Sequence, residues 1–221
     1  MPPQVDYLAK ALFYNLNILP ELLVLGNVIL AIVLANHAVL AMALGAAGTM
    51  TLTGAINGLL ANLIPDSAKH ATSLNMCDAG VMKNPWFNLL FGTYKLWDAR
   101  SPSVYLATIA FFVGYGLGLQ TLYKEEIDAG VISRASLIAT AITSLLILLT
   151  VNVYRIFSGC ESLMGAIGGS VLGLVLGYLI CVTIGYVTDR RATNIWGIPL
   201  LRDRINNGSA VYICPESLSV E

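Results

Sequence analysis

Few residues in this chain have the type and spacing to do chemistry. The two histidines, His37 and His70, stand far apart, and no CxxC or histidine–cysteine cluster accompanies either. Imidazole and thiolate groups would have to converge to hold zinc, haem or an iron–sulfur cluster, so no metal or cofactor is expected. Of the four cysteines, Cys181 sits in an apolar run and Cys214 near the end, while Cys77 and Cys160 fall in polar connections. Cys77 and Cys160 could form a disulfide if both lie in an oxidising compartment, and isolated thiols are the alternative. Nucleotide-binding, zinc-protease and serine-hydrolase signatures such as GxxxxGK[ST], HExxH and GxSxG are absent. Two polar clusters remain, each opening an apolar run: Arg100-Ser101-Pro102-Ser103, and Tyr154-Arg155 through Glu161.

The elements that carry these clusters are membrane helices. Of 221 residues, 57% are hydrophobic and 11% charged, against about 25% charged in soluble domains. A net charge of −1 argues against nucleic acid as a partner. The opening MPPQVDYLAK lacks the basic stretch and short apolar core of a cleavable signal, so insertion through internal helices is expected. The fold expected is all-α, a single polytopic transmembrane bundle with spans near 19–35, 38–61, 103–122, 131–151 and 164–187. Residues 1–18 and 62–102 read as interfacial amphipathic segments, the second because Trp86, Tyr94 and Trp97 suit the headgroup level. Residues 188–221 read as a polar tail. The apolar stretch 21–64 would make a helix of about 66 Å, twice a bilayer core, so it must fold back. Two places could hold the turn, Asn36-His37 or Gly45-Ala46-Ala47-Gly48, and the first is preferred because the second leaves a short span; His37 then sits in the turn itself. Glu21 reads as a helix-start carboxylate facing the headgroups.

The strongest pattern lies in the last span. Gly165, Gly169, Gly173, Gly177 and Gly185 recur at four-residue spacing, and Cys181 fills the gap in the row. On a helix this is a continuous stripe of small residues, which lets a second backbone come close. Gly54 and Gly58 form a second pair of the same kind. The stripe could serve contact within one subunit, self-assembly, or a glycine-lined pore. Orientation is undecided, because five spans divide Lys and Arg six against six: Lys10, Lys69, Lys83, Lys95, Arg100 and Arg155 on one side, Lys124, Arg134 and the four tail arginines on the other. The Arg190-Arg191 pair directly after a span leans toward a cytoplasmic C-terminal side.

The order of the two polar clusters resembles the type 2 phosphatidic acid phosphatase superfamily over residues 95–187. Pro102 and Ser103 match the opening of that family's PSGH motif, and Arg155 matches the phosphate-binding arginine of its SRxxxxxHxxxD motif. The resemblance implies a helical membrane fold in which Lys95, Arg100, Ser103 and Arg155 gather at one face as a vestigial phosphate site. It departs from the family where the chemistry is done. Val104 and Tyr105 stand in place of glycine and the proton-donating histidine, Glu161 in place of the nucleophilic histidine, and Gly165 in place of its orienting aspartate. Lys95 and Arg100 are also more closely spaced than the family's first motif. A carboxylate repels phosphate where an imidazole would attack it, so catalysis is not expected.

The sequence therefore reads as a non-catalytic structural or assembly protein in a membrane, a subunit or scaffold of a larger complex or of a virion membrane. Its expected partners are the lipid bilayer and other membrane proteins, or further copies of itself. A divergent lipid phosphatase and a glycine-zipper channel are the alternatives.

Overall fold

The computed structural model describes Leu16 and residues 18–61, 102–128, 133–188 and 190–195. Within them the chain forms α1 (Leu19–Val33), α2 (His37–Ala61), α3 (Val104–Leu122), α4 (Lys124–Asp128), α5 (Arg134–Phe157) and α6 (Leu163–Val187), followed by a 3-10 turn, Arg190–Thr193. Four helices, α2, α3, α5 and α6, are long and apolar enough to cross a membrane, and α1 is a shorter apolar helix. The protein is an integral membrane bundle of helices. The amphipathic segments expected before Leu19 and across 62–102, and most of the polar tail, lie outside the described residues.

Helix boundaries follow local chemistry. The long apolar stretch folds back at Leu34–Asn36, so His37 is the first residue of α2 and not part of the turn. α1 ends in a Schellman motif: Asn36 N–H bonds to Ala31 O at 3.0 Å and Ala35 N–H to Ile32 O at 3.3 Å. Ala35 takes the left-handed conformation this needs, with φ 48°. Asn36 then caps α2, its Oδ1 accepting from Ala38 N–H at 2.9 Å. The same motif ends α5, where Cys160 N–H bonds to Arg155 O at 3.0 Å and Gly159 N–H to Ile156 O at 3.0 Å. Here glycine holds the left-handed position, with φ 71°. Since a left-handed alanine costs about 1 kcal/mol over glycine, Ala35→Gly is expected to stabilise the protein by about that much and Gly159→Ala to destabilise it similarly. Denaturant midpoints in detergent that moved the same way for both would contradict this assignment.

The core is the seam between α3 and α6, which run parallel. Gly165, Gly169, Gly173, Gly177, Cys181 and Gly185 are all buried. A Cβ on Gly169 would strike the carbonyl of Ser103, one on Gly173 that of Ala107, and one on Gly177 that of Phe111. The partner helix answers in kind: a Cβ on Gly114 would strike the Leu174 carbonyl, and one on Gly118 would lie 2.8 Å from Cys181 Cβ. Backbone meets backbone along about four turns. The glycine stripe is thus engaged inside the chain, against α3, and not presented to a second copy. Gly54 is buried on α2, while the surroundings of Gly58 are not among the described residues.

α5 differs from this core. The apolar window of α3 is 72% buried and that of α5 only 11%. Of α5, only Leu137, Leu148, Val151 and Arg155 are buried. It also runs on to Phe157, beyond the expected end at 151. Asn152 and Arg155 look like span-ending residues in the sequence, but both find polar partners: Asn152 Oδ1 accepts from Ser170 Oγ of α6 at 3.0 Å, and Arg155 meets Glu161. Satisfied in this way, they need not end the helix.

Candidate functional site

Three helix ends meet at one end of the bundle. Ser103 caps α3 and Ser162 caps α6, the latter accepting from Gly165 N–H at 3.0 Å. The two starts are tied together by Ser103 N–H donating to Gly165 O at 3.0 Å. The C-terminus of α5 arrives between them, and its closing motif turns the chain so that Glu161 N–H also reaches Arg155 O, at 3.2 Å. Gly159 is what allows the turn, and Glu161 is the side chain it delivers.

Glu161 Oε1 accepts from Ser103 Oγ at 2.7 Å and from Arg155 Nη2 at 3.1 Å. Ser103 Oγ in turn accepts from Leu106 N–H at 3.2 Å, so a single hydroxyl caps α3 and holds the carboxylate. Arg155 and Glu161 are each 6% exposed. The guanidinium carbon lies 4.2 Å from the centroid of the Tyr105 ring, a cation–π contact, and the Tyr105 hydroxyl donates to Leu16 O. Burial pushes the Glu161 carboxyl up from its ordinary value, and Arg155 and the Ser103 hydrogen bond offset part of that rise. Two helix N-termini add partial positive charge at the same place. Glu161 is the anion that balances them.

The structure brings together Ser103, Tyr105, Arg155 and Glu161. Lys95 and Arg100 lie outside the described residues, as does His70. Cys160 is disulfide-bonded and 2% exposed, and its partner, like Cys77, is outside the described residues. Cys181 is a free, buried thiol. Among the described residues no group of histidine, cysteine and carboxylate side chains could hold a metal ion. No family model, curated protein or solved structure matches the chain. Its chemistry must therefore be read from its own groups. Among the described residues meeting at this site there is no imidazole, and its carboxylate already accepts from an arginine and a serine.

One residue was misread from the sequence and one polar cluster was missed. Glu21 does not face the headgroups but is 4% exposed, turned into the bundle in the first turn of α1. At the opposite end, Tyr123 donates to Arg190 O and shares a 3.2 Å contact with the Thr193 hydroxyl. Arg190 Nη1 lies 3.5 Å from Glu125 Oε2 and 3.9 Å from Glu126 Oε1, and Glu126 is 1% exposed. This second polar cluster docks the 3-10 turn onto the α3–α4 junction. The Glu125-Glu126 pair one helical turn from an aromatic residue gave no sign of it in the sequence, because its arginine partner comes 65 residues later.

Proposed function

We propose that this protein is a non-catalytic structural or assembly component of a membrane, in which the Ser103–Arg155–Glu161 cluster fastens helix ends and does not turn over a substrate. The observation that carries this reading is the state of Glu161. It stands where the resembling phosphatases place their nucleophile, yet it is buried and hydrogen-bonded to the very arginine and serine that would otherwise hold a phosphate. A phosphate entering this site would meet a carboxylate in its place. The bare length of α5 supports the assembly side of the reading, since such a span is covered by lipid or by a neighbouring membrane protein. Gentle extraction from the native membrane followed by native mass spectrometry is expected to recover the protein with a reproducible set of other proteins. Recovery as a lone monomer would overturn the assembly role.

A divergent lipid phosphatase is the second reading, favoured by the convergence of Ser103, Tyr105 and Arg155 beside Glu161. It requires release of phosphate from lipid phosphate monoesters by purified protein. No release above a detergent blank is the expected result.

A further inference from the structure

One end of the bundle carries a mark of redox chemistry. At one end Cys160 is part of a disulfide, in the turn that delivers Glu161 to Arg155. Forming that bond takes two protons and two electrons from two cysteine thiols. The electrons pass to the disulfide of a thiol–disulfide oxidoreductase, which is left as a dithiol. Such carriers work, and such bonds last, in oxidising compartments, whereas glutathione and thioredoxin return them to thiols in the cytosol. We infer that the end bearing Cys160 faces an oxidising, non-cytoplasmic space, and that the end bearing Tyr123, Glu126 and Arg190 faces the cytoplasm.

One feature of the charge pattern leans the same way. The count of basic residues ties at six to six in the sequence. The Arg190-Arg191 pair directly after α6 leans its end toward the cytoplasm.

The orientation has a consequence for binding. Asn57, near the end of α2, donates to Pro102 O at the start of α3 at 3.3 Å, so the connection between these helices leaves and re-enters at the Cys160 end. The end of α2, the start of α3 and the Ser103–Arg155–Glu161 cluster then belong to the non-cytoplasmic side. A protein that docks there is a resident of that compartment or a membrane neighbour reaching into it.

The test uses the full chain in its native membrane. Free thiols are blocked under denaturing conditions, then disulfides are reduced and the released thiols tagged with a second reagent before peptide mass spectrometry. Cys160 is expected to carry only the second tag and Cys181 only the first. For orientation, Ser133→Cys places a thiol on an exposed residue at the opposite end, and is expected to react with a membrane-impermeant maleimide only from the cytoplasmic side of sealed vesicles. An epitope inserted after Asp128, read by antibody in vesicles of both orientations, gives the same readout should that variant fail to insert. Recovery of Cys160 as a free thiol, or reaction of the Ser133 or Asp128 reporter from the non-cytoplasmic side, overturns the inference.

Discussion

Gly173→Leu is expected to prevent the bundle from assembling while leaving each helix able to enter the bilayer. A Cβ at this position would strike the carbonyl oxygen of Ala107, and would lie 2.8 Å from both its carbonyl carbon and its Cα. These are backbone atoms, which cannot rotate out of the way as the tip of a side chain can. Relief requires α3 and α6 to part, and Gly169 and Gly177, one turn to either side, would part with them. The loss should exceed the 1–3 kcal/mol or so of ordinary overpacking, enough to unfold a protein of typical stability when the rest of the leucine is added. Gly116→Ala supplies the control. It lies two residues from Gly114 on α3, yet an added Cβ there meets nothing within 4 Å, whereas one on Gly114 strikes the Leu174 carbonyl. Glycosylation reporters should show normal insertion for Gly173→Leu, Gly114→Ala and Gly116→Ala, and resistance to detergent unfolding should survive only in Gly116→Ala. Equal tolerance at 114 and 116 would refute the seam as described, and loss of self-association from an intact monomer would place it between copies.

Arg155→Leu is expected to cost about 3–5 kcal/mol, because it strands a buried carboxylate. Glu161 is 6% exposed and would keep one hydrogen bond, from Ser103. The change also removes the guanidinium from the Tyr105 ring. The informative measurement is the double-mutant cycle. Arg155→Leu with Glu161→Leu should recover most of the loss, since an apolar pair of similar volume needs no desolvation in return. Unfolding midpoints in denaturing detergent read the result. A double variant no more stable than Arg155→Leu alone would mean that the single substitution acts through packing, and the fastening role of the ion pair would fall.

Span positions and the glycine stripe were legible in the sequence because each is a local, repeated pattern. Hydropathy marks where a helix runs, and small residues every four positions mark a face that another backbone can approach. What approaches it was not legible. The contacted face of α3 includes Ala107 and Phe111, whose side chains say nothing of the carbonyls they leave uncovered. The turn before α2 was placed within two residues, but its left-handed position is held by Ala35, and only glycine or asparagine there would have announced it. In the site, Arg155 and Ser103 were singled out through a motif, whereas Glu161 was weighed only as a group that repels phosphate. Its pairing with Arg155 had a sequence signal: Gly159 follows the last turn of α5 and reverses the chain, so that a residue six positions past the arginine comes back beside it. Glu21 was misplaced for the opposite reason. A carboxylate in a first helical turn is usually solvated, and burial of this one follows from packing that no local pattern encodes.

The parallel pairing of α3 with α6 also sets a schedule for synthesis. A nascent chain delivers α3 to the membrane before its partner exists, and α5 must cross in the other direction before α6 can follow. During that interval the face of α3 that will meet α6, with Gly114, Gly118 and the carbonyls of Ser103, Ala107 and Phe111, has only lipid or the insertion machinery against it. A ribosome halted before Leu163 therefore leaves a membrane helix bare along the surface that is most buried in the finished protein. Such a remnant is the kind of substrate that membrane chaperones retain and quality-control proteases remove.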